Sequence, residues 1–178
     1  MENQNFKRQS LEQIGIFLEY PADDFRQRLV LLADQVNPLS EQASNYLKGF
    51  IEKMKRMDLA MWQEYYVQTF DLMPQCSLYI SVHLFGEESF KRAELMAGLK
   101  GIYDNRGVTT MAELPDHLAV VLRHNAVLDD EEWAEFVTMC LMPALPIMIK
   151  KLEKNANPYS LVLKSIQELL VGVEKAHV

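Results

Sequence analysis

Apolar residues recur along this chain at helical spacing. Phe25, Leu29, Leu32, Ala33 and Val36 fall at i, i+4, i+7, i+8 and i+11, one face of a helix. Ala43, Leu47, Phe50, Ile51 and Met54 repeat the pattern. So do Trp133, Phe136, Val137, Cys140 and Leu141, then Val162, Ile166, Leu169, Leu170 and Val173. Leu95, Leu99, Ile102 and Tyr103 form a further stripe, ended by Gly107 after the polar Asp104-Asn105-Arg106. The pattern predicts an all-α protein, a single-domain multi-helix bundle over residues 1–178, with roughly eight to ten helices of ordinary length.

Residues at the predicted helix ends agree. Ser40 follows Pro38 and is placed to cap the next helix, and Asp129 with Glu132 has the spacing of a capping box. Asn157-Pro158 sets a capping side chain before a proline at the first helical position. Two stretches depart from the rule. Leu78, Ile80, Val82 and Leu84 alternate with Tyr79, Ser81 and His83 in a strand-like period. A lone strand would have no partner and no hairpin signal supplies one, so helix is expected there too. Pro143 and Pro146 each remove a backbone donor and crowd the preceding turn, which predicts a break or kink between Asp130 and Lys154.

Composition narrows the function more than the fold. With 178 residues, 49% hydrophobic and 24% charged, the chain has the make-up of a folded soluble protein. A net charge of −7 argues against nucleic acid as partner, because affinity for a phosphate backbone is built from Lys and Arg. Cys76 and Cys140 lie far apart with no CxxC pair, so neither a disulfide framework nor a zinc pattern is present. The polar N-terminus runs into Lys7 and Arg8 with no apolar signal region, and the most apolar run, Met139 to Ile149, is too short to span a bilayer. The expectation is a cytoplasmic protein that does not insert in a membrane.

No catalytic or metal pattern emerges. His117 and His124 would sit about 10 Å apart along one helix, too far to share an ion. Cys76 and His83 fail by the same spacing if they share a helix, and there is no HxxxH, HExxH, GxSxG or phosphate-binding glycine loop. Asp116 and His117 are sequence neighbours and so do not face each other on a helix; after Pro115 they read as a helix start with Asp116 as cap. Their other reading is a pair of polar anchors at the mouth of a peptide groove. Trp62, Tyr66 and Phe70, at steps of four, are either core or the apolar side of such a groove. Ten methionines suit either an irregular core or an adaptable surface.

Tyr66-Val67-Gln68-Thr69-Phe70-Asp71-Leu72, Cys76-Ser77-Leu78-Tyr79 and His83-Leu84-Phe85-Gly86 together resemble the central block of the nitrate reductase delta-chain (NarJ-type) assembly chaperones. Arg92, Leu95, Leu99-Lys100, Tyr103 and Gly107 continue that block. Glu113-Leu114-Pro115-Asp116-His117-Leu118, followed by Val120-Val121-Leu122, is similar to the family's second hallmark. Leu18-Glu19-Tyr20-Pro21 and Asn157-Pro158-Tyr159 also fit, so the resemblance covers nearly the whole chain. One departure stands out: Arg123-His124 occupies positions where the family pattern has an acidic residue and an aromatic.

The resemblance implies a TorD-like all-helical fold without catalytic activity. It implies a chaperone that binds the N-terminal segment of an apo molybdoenzyme catalytic subunit, nitrate reductase or a close relative. The bis-(molybdopterin guanine dinucleotide) cofactor belongs to the client, and the chaperone binds none itself. By motif match, Tyr66, Phe70, Asp71, Tyr79, His83, Pro115, Asp116, His117 and Leu118 would line or support the peptide groove. The aromatic stripe would meet the client's apolar side, with Asp71, Asp116 and Glu87-Glu88 facing its basic residues. The competing expectations are a permanent structural subunit of a respiratory complex, which needs a large apolar interface, and a nucleotide-hydrolysing enzyme, which the missing phosphate loop disfavours.

Overall fold

Ten α-helical segments account for most of the described residues, 2–110 and 113–173 of a computed structural model. They are α1 (Glu2–Ile16), α2 (Phe25–Val36), α3 (Glu41–Met54), α4 (Leu59–Phe70), α5 (Ile80–Phe85), α6 (Phe90–Asn105), α7 (Leu118–Arg123), α8 (Asp130–Phe136), α9 (Met142–Glu153) and α10 (Tyr159–Leu170). The predicted stripes lie on helix faces turned to the core: α2 buries Phe25, Leu29, Leu32, Ala33 and Val36, whereas α6 buries Leu99 and Tyr103 and leaves Leu95 and Ile102 half-buried. The caps are as expected from the residues. Ser40 accepts from the Ala43 amide at 3.1 Å, and Asp129 and Glu132 form a reciprocal capping box. Asn157 Oδ1 accepts from the Tyr159 amide at 3.0 Å, so α10 begins just after Pro158.

The centre of the core is α10, which packs on α3 and α9, while α1 packs on α7 and α2 on α3. Tyr159, fully buried at the start of α10, gathers the aromatic residues. Its ring lies 4.8 Å from Phe70, 5.0 Å from Phe50 and 6.2 Å from Tyr66. Its hydroxyl accepts a hydrogen bond from Trp62 Nε1 at 2.9 Å. The Trp62–Tyr66–Phe70 stripe is therefore core, with every member at most 7% exposed. Such edge-on ring contacts add about 0.5–1.5 kcal/mol per pair beyond the burial itself.

Two expectations need correction. The prolines do not break the helix between Asp130 and Glu153. Val137–Leu141 forms a π turn instead, in which the Met142 amide donates to the Val137 carbonyl. The wider turn makes room ahead of the Pro143 ring, and Pro146 is tolerated inside α9. The continuous 24-residue helix is, among the described residues, the one long and apolar enough by length and composition to cross a membrane, although the Met139–Ile149 run alone is too short. In its most apolar window 56% of the residues are buried in the protein, where Phe136, Leu141, Leu145 and Met148 join the core.

The second correction concerns the alternating stretch. Only Ile80–Phe85 is helical; Tyr79 before it is extended and forms a one-residue antiparallel bridge with His117. The Ile80 amide donates to the Asp116 carbonyl at 3.0 Å and the Leu118 amide to the Leu78 carbonyl at 2.8 Å. The partner that a lone strand lacks is thus supplied by the distant Pro115–Leu118 segment.

Candidate functional site

That bridge sets the two hallmark motifs side by side. Asp116 is completely buried, and its carboxylate does not cap its own helix α7. It accepts instead from the amide (3.2 Å) and hydroxyl of Ser81, 35 residues earlier, and so caps α5. Arg92 Nε donates to the same Ser81 hydroxyl at 3.0 Å and ties in α6. A charged acceptor at a helix N-terminus is among the stronger hydrogen-bonding arrangements. Asp116 therefore holds the wall of the site together from behind.

In front of this wall lies a cleft of about 500 Å³. Tyr66 and Asp71 come to it from α4 and its C-terminal cap. Glu113 and His117 come from the second motif, Ala119, Val120, Arg123 and His124 from α7 and its end, Glu19 and Tyr20 from the segment after α1, and Thr109 and Thr110 from the loop after α6. The Leu18–Pro21 segment is pinned to α4 by Tyr66, whose hydroxyl donates to the Leu18 carbonyl at 3.0 Å, and by Gln63 Nε2, which donates to the Pro21 carbonyl at 2.9 Å. Tyr20 stacks edge-on against Tyr66 at 6.0 Å and remains 55% exposed, an apolar lip with a polar tip. Glu113 accepts from the Tyr79 hydroxyl at 2.8 Å, and the Tyr79 ring lies edge-on to His117 at 5.3 Å.

Glu19, Asp71 and Glu113 set the electrostatics at the Tyr66–His117 side of the cleft. Burial raises the Asp71 carboxyl above its ordinary range, nearby Glu113 adds to that rise, and His117 partly offsets it. Burial and the bond to Glu113 push the Tyr79 hydroxyl up to about 12. Burial also raises Tyr66, helped by Asp71, Glu113 and Glu19. His117 is only 6% exposed, and burial lowers its pKa against the opposing pull of Glu113, Asp116, Glu19 and Asp71. Its Nδ1 has no hydrogen-bond partner among the described residues, and neither has Asp116 Oδ1. An unpaired buried polar atom costs about 1–3 kcal/mol, which an ordered water would offset.

The residues expected at the site divide into three groups. Tyr66, Asp71 and His117 line the cleft, and Tyr79 stands behind Glu113 and His117. Pro115, Asp116 and Leu118 are buried behind it, and Phe70 faces Tyr159 in the core. His83 is elsewhere: its Nε2 donates to the Ser77 carbonyl at 2.8 Å and its Nδ1 faces Lys151 Nζ at 3.4 Å. Glu87 and Glu88 are exposed and do not line the cleft. Sequence reasoning did not select Glu19, Tyr20, Thr109, Thr110 or Glu113 as site residues. Both Glu19–Tyr20 and Glu113 lay within quoted motifs, and that was the available signal. Among the described residues no cluster of His, Cys, Asp and Glu has the make-up of a metal site.

The fold is that of the redox-enzyme maturation proteins. A crystal structure of a protein from Archaeoglobus fulgidus assigned to redox enzyme maturation superposes over 96% of this chain and 94% of that one, with a TM-score of 0.54 at 19% identity. The chain belongs to the nitrate reductase delta subunit family, whose model matches residues 25–153. It is 26% identical to the "probable nitrate reductase molybdenum cofactor assembly chaperone NarJ" of Bacillus subtilis, over 92% of this chain and 90% of that protein. It is 27% identical to the nitrate reductase molybdenum cofactor assembly chaperone NarJ of Escherichia coli K12, over 74% of this chain and 55% of that longer protein. These relatives are named as assembly chaperones, and the family to which the chain belongs is one of chaperones, not of enzymes.

Proposed function

We propose that the chain holds the N-terminal segment of an apo molybdoenzyme catalytic subunit, nitrate reductase or a close relative, in the cleft between α4, α7 and the Glu19–Tyr20 segment. It keeps that subunit competent in the cytoplasm until the molybdenum cofactor is inserted and assembly proceeds. The cofactor stays with the client. The observation that carries this reading is the convergence of Tyr66, Asp71, Glu113 and His117, from two distant motifs, on one cleft. Aromatic faces and a few polar anchors suit a peptide guest. The cost of ordering that guest moderates affinity and favours release once the client folds.

Calorimetric titration of the full chain with a synthetic peptide of the client's N-terminus tests this. The peptide to use is that of a molybdoenzyme catalytic subunit encoded beside this chain. Binding at micromolar affinity or tighter is expected, weakened about tenfold by Asp71→Asn with Glu113→Gln, each carboxylate contributing about 1 kcal/mol or less. Both side chains are exposed, so the fold survives these changes. A well-folded protein that ignores the peptide overturns the assignment.

A further inference from the structure

The cleft carries charges of both signs, separated along α7. At the N-terminal end of that helix His117 lies within the influence of Asp71 and Glu113. Asp71 has no ion-pair partner among the described residues. At the C-terminal end Arg123 donates to Glu19 at 2.6 Å, and His124 follows it. The helix has six residues, which sets the two ends about 9 Å apart. Ala119 and Val120 line the cleft between them.

Arg123 is held in place. A Cβ added at Gly15 would lie 3.1 Å from Arg123 Cγ and 3.1 Å from Leu122 Cβ, so α1 lies close against the base of the arginine side chain. The guanidinium has five N–H donors, and among the described residues its hydrogen bonding is a single bond to Glu19. The remaining donors are available to a carboxylate.

We infer that the cleft recognises a segment with charges of both signs: a cationic side chain over Asp71 and Glu113, and a carboxylate over Arg123. This rests on the client-binding reading above and adds its charge order. About three residues of extended chain, or six of helix, cover the distance between the two ends. A segment with the opposite order would set its carboxylate against Asp71 and Glu113 and be rejected by like charge.

The test uses the same titration with two further variants and one altered peptide, in which the client's acidic residues become amides. Arg123→Gln is expected to weaken binding about fivefold. The amide peptide should lose as much against the unaltered chain and nothing further against Arg123→Gln. Glu19→Gln should tighten binding, because it releases Arg123 from its present partner. If Glu19–Arg123 were only a structural bridge, both variants would act in the same direction or not at all, and the inference would fall. Tight binding of a segment without any carboxylate would also overturn it. Failure of the unaltered peptide to bind the unaltered chain would overturn the client site itself, a separate outcome.

Discussion

At the residue scale, Asp116 shows how a hallmark position supports the cleft wall from a fully buried place. Asp116→Ala removes the acceptor of the Ser81 amide and hydroxyl in a fully buried place. A loss of about 2–3 kcal/mol is expected in chemical denaturation, along with weaker client binding as the wall loosens. Ser81→Ala should recover little, since the amide still loses its partner in the Asp116 variant. A second residue-scale prediction concerns Ala156, which has φ +49°. It ends α9 in a Schellman motif, with the Asn157 amide donating to Leu152 and the Ala156 amide to Glu153. Ala156→Gly should raise stability by about 1 kcal/mol, because glycine adopts that backbone without strain. A lower denaturation midpoint would contradict it. The sequence revealed that Asp116 was a cap but not which helix it caps. Local spacing favours the next helix, and only the backbone bridge from Tyr79 brings α5 within reach.

At the scale of elements, periodicity was a sufficient guide wherever one face of a helix is buried, as in α2, α3 and α10. It gave less where pairing is non-local. The Leu78–Leu84 alternation mixes an extended bridge with a six-residue helix, and no short-range signal separates the two. A break or kink is expected at the prolines because a regular helix has no room for them, whereas the π turn lets the helix continue. The cleft was partly legible through motif resemblance, but physical spacing alone could not show that Glu19 and Tyr20 join it. The join between α10 and α4 gives a test. Asn157 Nδ2 donates to Thr69 Oγ1 at 3.0 Å and to Gln75 Oε1 at 3.2 Å, while its Oδ1 caps α10. Asn157→Ala should cost about 1–3 kcal/mol, read as a fall in thermal midpoint, because it leaves the buried Tyr159 amide unpaired and removes the bonds that tie this position to Thr69 and Gln75. A change below about 0.5 kcal/mol would mean that water replaces the side chain.

For the whole molecule, three histidines give stability a direction with pH. Burial lowers His83, His117 and His124 from the ordinary value near 6.5; Lys151 adds to the effect at His83 and Arg123 at His124. Around His117 the groups that oppose the shift are Glu113, Asp116, Glu19 and Asp71. Each ring takes up a proton more readily unfolded than folded. Stability is therefore full above about pH 6.5 and falls as pH drops from there through the lowered folded values. Denaturation midpoints measured between neutral and mildly acidic pH should decline, and replacing His117 with Asn should flatten that decline. A curve that rises on acidification would reverse the assignment.

Tyr159 carries a consequence in time. Its ring closes the core behind Tyr66 and Phe70, and its hydroxyl holds Trp62, yet it lies 97 residues after that tryptophan. The α4 wall of the cleft is therefore unsupported until α10 has left the ribosome and docked. A nascent chain halted after α9 would have both hallmark motifs but no rigid platform between them. The protein can act as a chaperone only after α10 is made.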